Sequence, residues 1–329
     1  MIILQDTVKS TPIHWGIMGA GRIARTFAHD IQFAKSASLY GVASREQSKA
    51  QSFAADFSIP VFYSSYEAIL KDPKVDAVYI ATPHSHHKNH AIAALRAGKH
   101  VLCEKPVVVN PQELEDVITV AQETGKYFME GMWTYFMPVI QTVSHWVNQG
   151  RIGQLHHVKA DFGFPLAYSS ELREYNNKLA GGCLLEMGIY PIAMAWLFLG
   201  QDPDQQTVWH HKAPNGVEDD VVVLNIFDAP SATAQLTTSF RSKLNNNLTL
   251  IGDQGTIFVQ DYWAAREAKL YRHNQCIDRC EEVREHQGFN HQIEQVSCDI
   301  KAGKTESSVV TWNDSRAFQR HIQKIKTHF

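Results

Sequence analysis

The sequence lacks an unbroken apolar run: its longest such stretch, Cys183 to Leu199, is interrupted by Glu186 and Pro191, so no membrane span is expected. It also lacks a charge bias. Lysine and arginine number 31 against 34 acidic residues, a formal net charge of -3 with histidine neutral, and no run of like charges forms a tail. Neither nucleic acid nor an anionic membrane surface is therefore implied as a partner. Cysteine is scarce and scattered. Cys103, Cys183, Cys276, Cys280 and Cys298 are odd in number, and Cys276 and Cys280 have no second pair at metal-ligand spacing. Reduced thiols are expected. Met1 to Leu4 is too short for the apolar core of a secretory leader, so the expected location is cytoplasmic.

What is present suits a large globular protein. A chain of 329 residues with 44% hydrophobic content can bury real cores, and its length favours two domains, read here as residues 1–130 and 131–329. In the first, Ile13 to Met18 reads as a strand, followed at once by Gly19-Ala20-Gly21-Arg22-Ile23-Ala24 and a helical pattern to about Phe33. This G-x-G-x-x-A turn suits a dinucleotide. Gly19 permits the tight turn, Gly21 admits a pyrophosphate against the backbone, and Ala24 is small enough for close helix–sheet packing. The following helix start offers amide donors to phosphate. Taken alone, the hexapeptide is equally a plain strand–turn–helix.

A second strand, Ser38 to Ala43, ends in Ser44-Arg45, where an NAD enzyme would place an acid for the ribose 2′-hydroxyl. Arg45 can instead fork onto a 2′-phosphate while Ser44 donates a hydroxyl, so the spacing favours NADP(H), with NAD(H) as the alternative. Glu46 and Asp56 lie past the strand end. After helices Ser48 to Asp56 and Tyr66 to Lys71 comes Val75 to Ala81, apolar enough for a central parallel strand. It stops at Thr82-Pro83, read as a helix cap and first-turn proline facing the strand end. His84, His86, His87 and His90 follow. They supply two ligands at helical spacing with no converging carboxylate or thiolate, so no metal site is read from them.

The last strand-end motif is Gly98-Lys99-His100-Val101-Leu102-Cys103-Glu104-Lys105-Pro106, a short apolar strand ending in a carboxylate and an ammonium. Pro106 forces Lys105 into an extended conformation, which puts both charges at a strand's end. Helix Pro111 to Thr124 and strand Lys126 to Gly131 complete an alternating order of strand and helix, which predicts a doubly wound parallel sheet of Rossmann type.

Three motifs together, Gly19 to Ala24, Ala81-Thr82-Pro83 with His87, and Ala97 to Pro106, resemble the glucose-fructose oxidoreductase / inositol dehydrogenase (Gfo/Idh/MocA) family in order and spacing. Within it, Gly131 to Pro138 is similar to the subgroup of dimeric dihydrodiol dehydrogenases and NADP-dependent xylose dehydrogenases. Tyr135 stands where that subgroup usually has Arg, and His84 where the wider family often has Asn. The resemblance covers essentially the whole chain.

From Leu155 onward, Val158 to Phe162, Thr207 to Lys212, Asp220 to Phe227, Thr233 to Phe240, Leu248 to Gly252 and Thr256 to Gln260 alternate apolar and polar residues. Period two over successive segments predicts a large, open, mainly antiparallel sheet with helix on one face, and the resemblance implies the same α+β domain. An open face of that size calls for burial, hence a homodimer or homotetramer through this sheet. Between its first strands lies Lys178 to Pro191, where Glu186 and Tyr190 fall on one helix face and Pro191 demands a kink. The family usually has a third glycine at Cys183, Asp at Glu186, and His or Tyr at Tyr190.

The resemblance thus implies an NAD(P)-dependent oxidoreductase. It would transfer a hydride between nicotinamide and a secondary alcohol or hemiacetal of a sugar, a sugar derivative or a cyclic trans-diol. Lys105, Tyr190 and Glu186 are the expected catalytic residues, Lys105 holding a positive charge that would favour phenolate at Tyr190. Gly19, Ala20, Gly21, Arg22, Ile23, Ser44, Arg45, Thr82, Pro83, His87, Glu104 and Lys105 would hold the cofactor. Trp133 and Phe136 would join Glu186 and Tyr190 as walls of the substrate pocket, although core packing is the default for each aromatic. The competing reading is a catalytically silent NADP(H)-binding regulator or sensor. His291, Glu294 and Cys298, on a helix from Phe289, receive no chemical role, and Trp312 to Lys326 is a closing helix.

Overall fold

The structure, a computed structural model, describes residues 11–329. The leader reading of Met1 to Leu4 lies outside the described residues. In the first half the elements alternate as the periodicity predicts: β1 (Ile13–Met18), α1 (Arg22–Asp30), β2 (Ala37–Ala43), α2 (Gln47–Asp56), β3 (Val61–Tyr63), α3 (Tyr66–Lys71), β4 (Ala77–Ile80), α4 (His87–Arg96), β5 (His100–Glu104), α5 (Pro111–Thr124) and β6 (Phe128–Gly131). Parallel neighbours require a crossover, and the helices supply it. The result is a six-stranded parallel sheet in the order β3-β2-β1-β4-β5-β6. All four residues of β4 are buried, as a strand covered by helices on both faces requires. Strand order reverses between β1 and β4, which opens a crevice at their carboxyl ends.

Local chemistry sets the boundaries. The Asn110 side chain accepts from Glu113 N, Pro111 sits in the first turn of α5, and Gly125, at φ 63°, ends the helix in the left-handed conformation. At the end of β4 the expectation needs correcting: Pro83 is extended, and a single 3-10 turn, His84–His86, precedes α4. Thr82 therefore caps nothing, and its hydroxyl instead meets His90 Nδ1 at 3.0 Å.

The second half continues through α6 (Pro138–Asn148), β7 (Leu155–Gly163), α7 (Ile189–Leu199), β8 (Gln205–Lys212), β9 (Glu218–Phe227), β10 (Ala232–Ser239), β11 (Leu248–Gly252), β12 (Thr256–Val259), β13 (Glu267–Arg272), β14 (Gln275–Glu281), α8 (Phe289–Lys301) and α9 (Trp312–Lys326). Eight strands form one open sheet, β14-β13-β12-β11-β7-β10-β9-β8, antiparallel except where β7 meets β10. The hairpin of β13 and β14 was not foreseen. β14 is an edge strand with no buried residue and so carries no period-two apolar signal, while in β13 only Ala268 and Leu270 are buried, an alternation too short to stand out. Its turn, His273-Asn274, holds both residues at positive φ, as two-residue hairpins require.

Helix α7 covers one face of this sheet. The other face carries Trp209 and Val222, which pair across β8 and β9, together with Leu224, and all three are exposed. One helical run among the described residues, Asn177–Leu199, is long and apolar enough to cross a membrane, yet 72% of its most apolar window is buried inside the protein. Glu186 and Pro191 fall where that run changes from a π-helical turn, Leu184–Gly188, to the α-helix of α7. The proline lacks an N–H for the Met187 carbonyl, and the wider turn accommodates it.

The chain's last two helices return to the first sheet. Buried Asp30 at the end of α1 accepts from Gly288 N and Phe289 N at 2.8 and 2.9 Å, and Trp15 Nε1 donates to Ser297 Oγ in α8. Trp312 Nε1 of α9 donates to the Phe128 carbonyl. These contacts set the angle at which the two sheets face each other across the crevice.

Candidate active site

At the amino end of α1 the glycines do what close approach needs. Gly19 has φ +107°, and a Cβ there would lie 2.8 Å from the Ala81 carbonyl oxygen, so no other residue fits between β1 and β4. A Cβ on Gly21 would meet nothing within 4 Å: the space above this backbone is open, and Gly21 caps α1 without a side chain, leaving first-turn amides available. Open space above uncapped helix amides is the arrangement that suits an anion. Arg22, at the cleft's edge, pairs with Glu174 Oε1 at 3.3 Å with its own side chain 90% exposed.

The end of β2 forms the next part of the rim. Ser44 is buried, with its amide on the Tyr63 carbonyl and its hydroxyl accepting from Glu46 N. Arg45 stands exposed beside Tyr66, whose phenol burial raises and Arg45 partly restores. The two acids that follow the strand end in sequence are already engaged: Glu46 pairs with Lys49 at 2.7 Å, and Asp56 with Arg25 at 2.8 Å.

His87 fastens the ends of β4 and β5. Its Nε2 lies 2.7 Å from the Thr82 carbonyl oxygen and its Nδ1 2.8 Å from that of Pro106. A neutral ring donates to only one of the two at a time, and burial pushes the imidazole's pKa down to about 3. Its ring is thus committed to the backbone even though it lines the cleft.

Beyond it, two carboxylates and two cations from both halves of the chain converge. Glu104, buried at the end of β5, accepts from the Tyr79 hydroxyl; burial raises its pKa while the adjacent Lys105 opposes the rise. Lys105 Nζ donates to the Glu186 carbonyl at 2.7 Å and sits 4.9 Å from the centre of the Tyr190 ring, over its face. Burial lowers the Lys105 pKa, against the pull of Glu186 and Glu104. For the Glu186 carboxyl, burial alone would raise the pKa, but His84, the Arg173 guanidinium and the Lys105 ammonium hold it at about 2. His84 Nε2 is 3.6 Å from that carboxylate, and burial presses His84 itself down to about 4.

Tyr190 accepts from Trp133 Nε1 at 2.8 Å. Burial and the Glu104 carboxylate push its phenol well above the ordinary value, against the Trp133 hydrogen bond. Lys105 faces the ring of Tyr190 while its ammonium bonds the Glu186 carbonyl, so in this arrangement it does not bond the phenol oxygen.

These groups line one cleft of about 630 Å³ that runs from Gly19, Ala20, Gly21, Arg22 and Ile23, past Ser44, Arg45, Thr82, Pro83 and His87, to Glu104, Lys105, Glu186 and Tyr190. Trp133 and Phe136, expected as walls, do not line it. They lie in the core on the 3-10 turn Trp133–Phe136, and Trp133 reaches the cleft only through Tyr190. Tyr135 also turns inward, donating to the Ala193 carbonyl of α7 at 2.7 Å. The wall is Trp263, packed at 5.3 Å against Phe162, and the rim is Arg173. Sequence reading missed both. Trp263 sits in a turn after β12 and Arg173 in an irregular insertion, so neither carries a periodic signal.

Residues 13–132 match the model of the GFO/IDH/MocA oxidoreductase family, NAD-binding Rossmann fold, and residues 140–258 match that of the GFO/IDH/MocA C-terminal domain. Trans-1,2-dihydrobenzene-1,2-diol dehydrogenase of Mus musculus is 36% identical over 258 residues, 78% of this chain and 77% of that protein. The protein of that name from Oryctolagus cuniculus is 30% identical over 320 residues, covering 94% and 96%. Among solved structures, KijD10, a 3-ketoreductase from Actinomadura kijaniata in complex with NADP and TDP-benzene, superposes with a TM-score of 0.85 at 26% identity over 96% of this chain and 98% of that one.

Proposed function

The chain belongs to the GFO/IDH/MocA family of NAD(P)-binding oxidoreductases, and on that premise we propose that it interconverts a secondary alcohol or hemiacetal and its carbonyl, on a sugar, a sugar derivative or a cyclic trans-diol. One observation carries this reading: Lys105 from the first sheet meets Tyr190 and Glu186 from the second at the far end of a cleft that begins at the Gly19 to Ala24 turn. By their names the relatives are a dehydrogenase of a cyclic trans-diol and a 3-ketoreductase, which supports the alcohol–carbonyl chemistry proposed here.

The cleft's residues fit a dinucleotide. The α1 amides and the open space over Gly21 would take the pyrophosphate, Thr82, Pro83 and Glu104 would border the nicotinamide, and Ser44 and Arg45 would take a 2′-phosphate. With Glu46 and Asp56 neutralised by partners, NADP(H) is preferred and NAD(H) is the weaker alternative. When bound, the cofactor supplies or accepts the hydride.

The chain's own task is the proton. Tyr190, kept protonated by burial, can give its proton to a substrate oxygen as carbonyl becomes alcohol, and it recovers one from solvent afterward. Lys105 lies close enough to turn from the Glu186 carbonyl toward that oxygen and stabilise its developing negative charge. Glu186, tied to Arg173 and His84, orients Lys105. In the oxidative direction the same phenol must first lose its proton, so oxidation should accelerate as pH rises.

The exposed face bearing Trp209, Val222 and Leu224 supports association into a homodimer or homotetramer through the second sheet, and five free cysteines suit a reducing, cytoplasmic setting. NADPH and NADH fluorescence titrations, followed by turnover with aldoses, inositols, anhydro-sugars and dihydrodiols, test the reading. Lys105→Met should bind NADPH within a fewfold of the parent and lose at least about a hundredfold in kcat. Full activity in that variant would remove Lys105 from the mechanism, and cofactor binding without turnover on any substrate would favour the silent regulator.

A further inference from the structure

Among residues that do not line the cleft, where β14 gives way to α8, Glu282, His286 and His291 converge so that one ligand-type atom of each lies within 4.8 Å of the others. His291 Nε2 is already 2.7 Å from Glu282 Oε1, and the two imidazole rings have centres 5.6 Å apart. The second carboxylate oxygen of Glu282 is taken by Arg284, whose guanidinium also donates to the Ala264 and Ala265 carbonyls. The carboxylate is therefore held in place by a group that is itself anchored. His286 is tethered through its main-chain carbonyl to Arg266 Nη2 at 3.2 Å, yet its Nδ1 is shielded from solvent without any hydrogen-bond partner. A shielded, unpaired imidazole nitrogen beside a second imidazole and a fixed carboxylate is a donor set with an unfilled role.

We propose that Glu282, His286 and His291 form a binding site for one divalent cation of the zinc class. Two imidazole nitrogens and one carboxylate oxygen suit Zn²⁺, and after it Ni²⁺ or Cu²⁺, far better than Mg²⁺ or Ca²⁺, which favour all-oxygen sets. Metal–ligand bonds of about 2.0–2.2 Å in a tetrahedral site bring ligand atoms to roughly 3.3 Å from one another. His291 and Glu282 are close enough already, so filling the site asks for a small rotation of the half-exposed His286 ring. Three protein ligands leave a fourth position for water. Arg284 and Arg266 oppose a cation, and the Asp30 carboxylate, which also faces His286, offsets part of that opposition.

The position defines the consequence. Gly288 and Phe289, between two of the ligands, are the residues whose amides dock on Asp30 of α1. A cation here would cross-link the loop after β14 to the first turn of α8, at the joint between the two sheets, and stabilise the folded protein in proportion to its occupancy.

The tag-free full chain, stripped with a chelator, is titrated with ZnCl₂ in competition with a chromophoric zinc indicator, alongside His286→Ala, His291→Ala and the double variant. The parent should take up one Zn²⁺ more than the double variant, each single change should weaken that site at least tenfold, and MgCl₂ in large excess should not compete. Saturating ZnCl₂ should raise the Tm of the parent by several degrees and leave the double variant unmoved. Equal zinc stoichiometry in parent and double variant overturns the proposal. His286→Ala keeps the test valid if His291→Ala folds poorly, because His286 lies on the half-exposed loop; circular dichroism and an unchanged NADPH titration establish that it is folded.

Discussion

Trp133 Nε1 donates to Tyr190 Oη at 2.8 Å, and both side chains are buried. A donor on the phenol oxygen favours phenolate over phenol, so Trp133 counteracts part of what burial does to Tyr190. The tryptophan held in place by Phe289 of α8, at 4.5 Å between ring centres, thereby tunes the proposed acid without touching substrate.

Trp133→Phe keeps the packing and removes the donor. Its alcohol oxidation should fall about tenfold in kcat, with the alkaline rise of the pH–rate profile moved upward by about one unit, which corresponds to about 1.4 kcal/mol. KM for the cofactor should stay within twofold. Tyr190→Phe should cost about a hundredfold or more and erase that rise. A profile unmoved by Trp133→Phe would show that the hydrogen bond is purely structural.

Arg45 decides cofactor choice if it meets the 2′-phosphate. Hydrogen bonds to a charged group contribute about 1.5–3 kcal/mol, so Arg45→Ala should weaken NADPH about 10- to 150-fold and leave NADH within twofold. Fluorescence titration of both cofactors reads the ratio directly. Equal loss for both would place Arg45 elsewhere.

Acid stability should follow the histidines that are wholly or partly buried. His100 Nδ1 accepts from Tyr127 N at 3.0 Å, a role open only to the neutral ring, and burial together with nearby Lys126 lowers its pKa from 6.5 to about 4. The unfolded chain takes up a proton in that interval which the folded protein refuses. The stabilisation is therefore complete above pH 6.5 and is lost as pH falls toward about 4. His84 and His90, also near 4, add to the same loss. Urea unfolding across this range should give a stability that declines with acid, and His100→Asn, which retains an acceptor, should flatten the slope by up to about 1 kcal/mol per pH unit after allowance for its partial exposure.

The free face of the second sheet should be an interface. Trp209 is 52% exposed, and opposite it on β9 lies Val222, 40% exposed. Trp209→Glu should raise the oligomer's dissociation constant about a hundredfold or more without changing the fold, as measured by analytical ultracentrifugation and circular dichroism. A parent protein that sediments as a monomer at all concentrations would exclude the interface.

Much of this molecule was legible as sequence because local chemistry governs local structure. The turn at Gly19, the caps of α5 and the end of β5 before Pro106 are each set by residues within a few positions, and the alternation of strand with helix leaves a parallel sheet as its outcome. Lys105 could be placed at a strand end in this way, and Tyr190 on the same helix face as Glu186. What sequence alone did not show is which side chains from distant segments face one cavity. Trp263 and Arg173 enter the cleft from a turn and an irregular insertion, Trp133 leaves it for the core, and His87 spends its ring on two carbonyls. Those outcomes depend on how α8 and α9 dock the second sheet against the first, through Asp30, Trp15 and Trp312. Docking of that kind is decided by the shapes of buried surfaces and the pairing of buried polar groups, neither of which has a period along the chain.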